Sequence, residues 1–97
     1  MEMTDHQKRL WQSMIDLIEG YLNGESNDFY GLVGKLEGAL EAADIKDKKL
    51  INEWYDFWTL LETRRAVEGS NIDKQNAIRE LKMMKEFLLK NQNDNKK

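Results

Sequence analysis

The chain offers few side chains for covalent or acid–base catalysis, because it contains one histidine, His6, and no cysteine. A Ser-His-Asp triad would have to be built around His6, since such a triad needs an imidazole as its base. His6 lies in the first turn of a predicted helix among polar neighbours, a position typical of a solvent-facing residue. A di-iron bundle needs Glu-x-x-His motifs on two helices, which one histidine cannot supply. We therefore expect no enzyme activity, no metal site, no cofactor and no small-molecule substrate.

Three acidic residues, Glu37, Glu41 and Asp44, follow one another at one-turn spacing in the second predicted helix. Carboxylates at such spacing can bind a hard cation. However, these positions flank the apolar stripe of their helix and do not converge on one point, so the pattern favours a solvated acidic face. The net charge of -3 gives no reason to bind a phosphate backbone. We expect no nucleic-acid binding, and a basic protein is a more suitable partner than an acidic one.

The same helix carries an unusual load of glycine. Gly31, Gly34 and Gly38 project to the side opposite its apolar stripe. Each glycine in a helix interior costs about 1 kcal/mol relative to alanine. One interpretation is that a partner backbone approaches this face, as small residues at four-residue spacing permit between helices. The partner would be a second copy of the chain, the fourth helix or another protein; otherwise the face is exposed and merely tolerates glycine.

Met83 and Phe87 form a one-turn pair on the fourth predicted helix, away from its apolar stripe. Two interpretations remain open. The pair packs beneath a loop or a chain terminus, which is the more common situation, or it forms an exposed contact patch.

Hydrophobic periodicity predicts the elements that position these residues: an all-α, up-down bundle of about four helices, approximately 4–23, 28–44, 48–68 and 73–90. Thr4 and Gln7 have the form of a capping box, Asp47 is a suitable cap for the third helix, and Asn71 or Asp73 for the fourth. Short connections favour antiparallel neighbours. The apolar stripes are expected at the following positions: Leu10, Trp11, Met14, Ile15, Ile18, Tyr21 and Leu22; Phe29, Leu32, Val33, Leu36, Leu40 and Ala43; Leu50, Ile51, Trp54, Phe57, Trp58 and Leu61; Ala77, Ile78, Leu81, Met84 and Leu88.

Size and composition indicate one small globular domain. The chain has 97 residues, of which 40% are hydrophobic, and it lacks proline. We expect a single helical domain over 1–90 and a disordered polar tail over 91–97. No apolar run approaches the roughly 20 residues of a membrane span, and the first ten residues lack a signal-peptide core. With no cysteine present, a cytoplasmic location is expected.

Three short strings resemble a pattern in small bacterial helical proteins of unassigned function, some of which look like toxin-immunity proteins. The strings are Y-L-N-G-E at 21–25, L-V-G-K-L-E at 32–37, and a helix with Trp54, Trp58 and Leu61-Glu62. This resemblance implies a helical fold and a binding role, and it carries over no catalytic residue.

These observations predict a non-enzymatic interaction domain, most concretely an immunity- or antitoxin-like inhibitor that covers the active cleft of a basic toxin. Its candidate contact residues are Gly31, Gly34, Gly38, Glu37, Glu41 and Asp44. The alternative is a homo-oligomeric structural module that uses the glycine face as its self-contact.

Overall fold

The computed structural model describes residues 3–68 and 71–94 of the chain, and within them it contains four helices. These are α1 (Asp5–Leu22), α2 (Phe29–Ala43), α3 (Lys48–Glu68) and α4 (Lys74–Asp94). The all-α prediction is confirmed, and three of the four helices end within one residue of their expected limits.

Local side-chain chemistry determines where the helices begin. Thr4 and Gln7 form the predicted capping box, each side chain accepting a hydrogen bond from the backbone N–H of the other. Asp28 caps α2, and Asp47 caps α3 by accepting from the N–H groups of Lys49 and Leu50. Asp73 caps α4 by accepting from the N–H of Asn76, which decides between the two expected caps. Such caps satisfy N–H groups that have no partner inside the helix.

The predicted apolar stripes meet in one core. Every expected stripe residue of α2 is buried, and Trp11, Trp54 and Leu81 are completely enclosed. Trp11 Nε1 donates to the Leu88 carbonyl at 2.8 Å, so the polar atom of this indole is satisfied inside the protein. Trp54 Nε1 lies 3.2 Å from the Met14 sulfur, which accepts a weak hydrogen bond from it.

The four helices form a ring: α1 packs against α2 and α4, and α3 also packs against α2 and α4. Contacts across each boundary pair the start of one helix with the end of the next. His6 approaches Ala42 across the α1–α2 boundary, and Trp11 contacts Leu88 across the α1–α4 boundary. Neighbouring helices are therefore antiparallel, as an up-down bundle requires.

The fourth helix is longer than its sequence pattern suggested, continuing to Asp94 where an end near residue 90 was expected. Residues 91–94, expected to belong to a disordered polar tail, are helical, and residues 95–97 of that tail lie outside the described part of the chain. Asn91 donates to the Phe87 carbonyl at 2.9 Å, and Gln92 donates to Gln12 of α1 at 2.7 Å. Polar contacts with the backbone and with α1 support this last turn, although it has no apolar stripe.

A buried ion-pair network fixes the register of α3 against α4. Arg64 donates through Nε and Nη2 to the two carboxylate oxygens of Glu80, both at 2.9 Å, and through Nη1 to Glu68 at 2.8 Å. Glu68 also accepts from the N–H of Asp73, so the network reaches the start of α4. The hydrogen bonds with Glu80 are the main cause of the raised pKa of Arg64, which remains charged.

Candidate functional site

The outer side of α2 is exposed because α2 packs only against α1 and α3 within the described structure. Gly34 and Gly38 are both exposed. A Cβ atom added at Gly38 would meet nothing within 4 Å, and one added at Gly34 would meet only Arg65 Nη1, at 3.8 Å. The backbone of α2 is therefore open to close approach from outside. The fourth helix does not contact α2, so α4 is excluded as one of the three possible partners of this face within the described structure.

Gly31 has a different role from the other two glycines of the predicted row. It is half-buried, and a Cβ atom there would lie 2.3 Å from Oδ2 of Asp28. The same carboxylate accepts a hydrogen bond from the Gly31 N–H at 2.8 Å as the cap of α2. The capping carboxylate of Asp28 occupies the space that a side chain at Gly31 would need, which accounts for glycine at this position. Only Gly34 and Gly38 therefore form an open glycine face.

An exposed aromatic ring stands beside this open backbone. The Tyr30 side chain is 63% exposed, the largest exposure of any aromatic residue in the described structure. The Arg65 guanidinium of α3 lies over its ring, 4.6 Å from the centroid, and donates to the Tyr30 carbonyl at 3.3 Å. Arg65 also forms an ion pair with Glu62. Contacts from α3 therefore hold Tyr30 in place while its ring stays accessible.

The sequence contained a signal for Tyr30, because residues 30, 34 and 38 are four apart and so lie on one helical face. The arginine could not be found in this way, since it reaches the face from another helix.

The predicted acidic residues share this side of the molecule but differ in their surroundings. Glu37 is half-buried and accepts a hydrogen bond from the Tyr55 hydroxyl at 3.2 Å. Glu41 is exposed, and Asp44, also exposed, pairs with Lys46 at 3.0 Å. Burial, followed by the charge of Glu37, raises the pKa of Tyr55 above its ordinary value of 10. Of the three acids, Glu41 is the one whose carboxylate makes neither a hydrogen bond nor an ion pair within the described residues.

We use the term α2–α3 surface for the combined exposed side of these two helices. Its members are Tyr30, Gly34, Glu37, Gly38 and Glu41 of α2 with Tyr55 and Arg65 of α3. Trp58 anchors the boundary between the helices, because its Nε1 donates to the Val33 carbonyl at 2.9 Å. The surface therefore presents an aromatic and an open backbone on a fixed helix pair, with carboxylates along one side.

The lone histidine takes part in a helix cap. His6 Nε2 lies 3.3 Å from the Ala42 carbonyl, and Gln7 donates to the carbonyls of Ala43 and Asp44 at 3.0 and 3.3 Å. These contacts help to satisfy the carbonyl groups at the end of α2, which have no partner inside the helix. Within the described residues, no group of three or more His, Cys, Asp or Glu side chains is placed to hold a metal ion.

Met83 and Phe87 of α4, which the sequence suggested as a pair, differ in their burial. Phe87 is buried, with its ring centroid 5.0 Å from that of Phe57 and 6.2 Å from that of Trp11, whereas Met83 is 44% exposed. A cleft of about 380 Å³ opens there between α3 and α4, lined by Glu53, Phe57, Met83, Glu86, Phe87 and Lys90. The pair therefore contributes one residue to the core and one to the surface.

No protein-family model, curated protein or solved structure matches this chain. None of the described helices combines the length and apolar character that crossing a membrane would require.

Proposed function

We propose that this protein is a non-enzymatic interaction domain that binds a basic protein through the α2–α3 surface. In its most concrete form it is an immunity- or antitoxin-like inhibitor that covers the active cleft of a toxin. The observation that carries the proposal is the accessible Tyr30 ring, held by Arg65 beside the open backbone of Gly34. Tyrosine and arginine are enriched among the residues that dominate binding energy at protein interfaces.

Preorganisation supports this use of Tyr30. Binding normally costs about 0.5–1.5 kcal/mol for each flexible side chain that becomes ordered. The ring of Tyr30 already has its position fixed by the guanidinium above it and by its place in the first turns of α2. An aromatic ring that is ordered before the encounter retains more of its contact energy in the complex.

The open glycines supply a complementary feature. No atom lies within 4 Å of the position that a Cβ atom would take at Gly38, so a partner helix or strand can contact the α2 backbone directly. The adjacent carboxylates of Glu37 and Glu41 favour a positively charged partner, and such charges mainly increase the association rate. These features together support occlusion of a partner's surface by preformed helices.

The experiment compares two charge reversals of equal size. Glu41→Lys lies on the α2–α3 surface, while Asp16→Lys is an exposed control on α1. A partner is first captured with the wild-type protein, purified and then measured against both variants by surface plasmon resonance at low and moderate salt. We expect Glu41→Lys to slow association about tenfold at low salt, and Asp16→Lys to leave it nearly unchanged.

A steric variant tests the same surface independently of charge. Gly38→Leu fills open space, so the fold is retained, but the side chain obstructs backbone approach and accelerates dissociation. An acidic captured partner, or one that binds Gly38→Leu and Tyr30→Ala as tightly as wild type, would contradict the proposal. The alternative function, a homo-oligomeric module, would use the glycine face as its self-contact.

A further inference from the structure

The α3–α4 side of the bundle carries an exposed apolar surface. Val67 is 78% exposed, and Leu60 and Met83 are each 44% exposed. Tyr30 is the remaining large hydrophobic residue with comparable exposure in the described structure. Single exposed apolar residues are common, but a group on one side of a small protein marks a contact site.

The three side chains lie on one strip because α3 and α4 have a fixed register. Arg64 bonds Glu80, and Phe57 packs against Phe87. In both pairs the two residue numbers add up to 144, so each residue of α3 faces the residue of α4 whose number completes that sum. Leu60 is consequently level with Met83 to within one residue. Val67 lies two turns from Leu60 on the same side of α3, since a separation of seven residues is close to two helical turns.

Two clefts continue this strip along the boundary between the helices. The cleft of about 380 Å³ beside Phe57 and Met83 lies toward the start of α3. A second cleft of about 260 Å³, lined in part by Leu60 and Val67, lies toward its end. The surface therefore has a hollow at each end, and the exposed Val67 borders the smaller one.

Charge is also distributed unequally along the strip. Glu53, Asp56 and Glu86 lie at the end with the larger cleft, together with Lys90. Arg79 lies on α4 one turn from Met83, toward the end with Val67. The two acids at that end, Glu68 and Glu80, are both bonded to Arg64. A second copy turned end for end would bring its Arg79 toward Glu86 of the first copy.

We propose that the α3–α4 surface is a homodimer interface, with the two copies antiparallel about a two-fold axis at Leu60 and Met83. On α3, this axis brings Val67 of one copy to the cleft between Glu53 and Phe57 of the other. On α4, it brings Arg79 of one copy beside Glu86 of the other, and the symmetry repeats both contacts. A two-fold interface must be complementary to itself in this way.

The proposed dimer differs from the self-contact through the glycine face. The open face of Gly34 and Gly38 lies on α2, and α2 does not contact α4. Both α2–α3 surfaces therefore remain accessible in the dimer. Partner binding and self-association can be tested separately, because their residues do not overlap.

Sedimentation-velocity ultracentrifugation over a concentration series tests the proposal on the full chain. The wild-type protein should sediment as a dimer that dissociates on dilution. Leu60→Lys and Met83→Lys should each raise the dissociation constant at least about tenfold, because each places an ammonium group in the apolar centre twice. Tyr30→Lys, an equivalent change at an exposed apolar residue on the α2–α3 surface, should leave the sedimentation unchanged.

A charge exchange tests the register of the two copies. Arg79→Glu and Glu86→Arg should each weaken the dimer by opposing like charges, and the double variant should restore it, since the pairs are rebuilt with reversed sign. Circular dichroism verifies that every variant is folded. A wild-type protein that stays monomeric at millimolar concentration overturns the proposal, as does a dimer that both lysine variants leave intact. Failure of the charge exchange to restore association overturns the antiparallel register.

Discussion

At the scale of single residues, Gly31 and Gly38 belong to one helix but have different surroundings. A methyl group at Gly38 enters open space, so Gly38→Ala should raise the free energy of unfolding by about 1 kcal/mol through helix propensity alone. At Gly31, the added atom collides with the capping carboxylate of Asp28, whose loss costs about 1 kcal/mol. Gly31→Ala should therefore give no gain in urea denaturation.

The control for this prediction removes the cap. In an Asp28→Ala background the obstruction is absent, so Gly31→Ala should become stabilising there. A double-mutant cycle measures this coupling directly. An equal gain from alanine at both glycines in the wild-type background would show that the cap does not constrain Gly31.

Tyr55 should make stability depend on alkaline pH. Burial, with a contribution from the charge of Glu37, raises its pKa above 10 in the folded protein. The unfolded chain therefore loses the phenolic proton first, and the stabilisation is complete below pH 10 and declines as pH rises beyond it. Tyr55→Phe should lower stability near neutral pH by about 1 kcal/mol, because its hydrogen bond to Glu37 is lost.

Urea midpoints measured at pH 8, 10 and 11 test the tyrosine prediction. The difference in stability between wild type and Tyr55→Phe should narrow above pH 10. Tyr21, whose pKa burial also raises, stays in both proteins and contributes equally to their alkaline decline. A difference that is constant over this range would contradict the proposed linkage.

At the scale of helices, the Arg64–Glu80 pair links α3 to α4 more strongly than an exposed pair could. The two side chains are only 15% and 10% exposed. Glu80→Gln keeps the shape but removes the opposite charge from a buried guanidinium, and should cost about 2 kcal/mol of stability. Thermal and urea unfolding measure the loss.

Asp44→Asn is the matched control, since it removes the charge from the exposed Asp44–Lys46 pair. Exposed ion pairs contribute little, and asparagine tolerates the left-handed conformation that Asp44 adopts with φ of 51°. We expect a change below about 0.5 kcal/mol. Equal effects of the two substitutions would show that burial does not strengthen the Arg64 network.

The sequence was informative about helices wherever their formation depends on local spacing. Thr4, Asp47 and the apolar stripe of α2 could be assigned because capping and amphipathic periodicity extend over only a few residues. The end of α4 was missed because its last turn lacks an apolar stripe and is supported by contacts such as Gln92 with Gln12 of α1. Such contacts depend on how two helices meet, which periodicity does not contain.

In the candidate sites too, the sequence predicted features that depend on local spacing and missed those that depend on contacts in space. The exposure of Gly34 and Gly38 followed from their position opposite the apolar stripe. The cap at Gly31 and the arrangement of Arg65 over Tyr30 required atomic positions, the first within a turn and the second between helices. The separation of Met83 from Phe87 likewise depends on Phe57 of α3, which covers only one of them.

At the scale of the whole molecule, the ring of helices gives α3 two neighbours and two separate boundaries. Its boundary with α2 carries the proposed partner surface, and its boundary with α4 carries the proposed self-contact. Because these boundaries lie on opposite sides of α3, a dimer would present two partner surfaces at once. Two linked surfaces of this kind bind a clustered or dimeric partner more tightly than either surface alone.

The indoles of Trp54 and Trp58 stack with their centroids 6.0 Å apart and their planes inclined by 17°. At that separation the electronic transitions of the two rings interact, so we expect the pair to contribute to the near-ultraviolet circular dichroism spectrum. The two residues lie one turn apart on α3, so this helix brings their rings together. Their mutual orientation is fixed by tertiary contacts, because Trp58 donates to the backbone of α2 and Trp54 is buried in the core. The protein thus contains an intrinsic optical probe that distinguishes a packed bundle from a molten globule that keeps its helices.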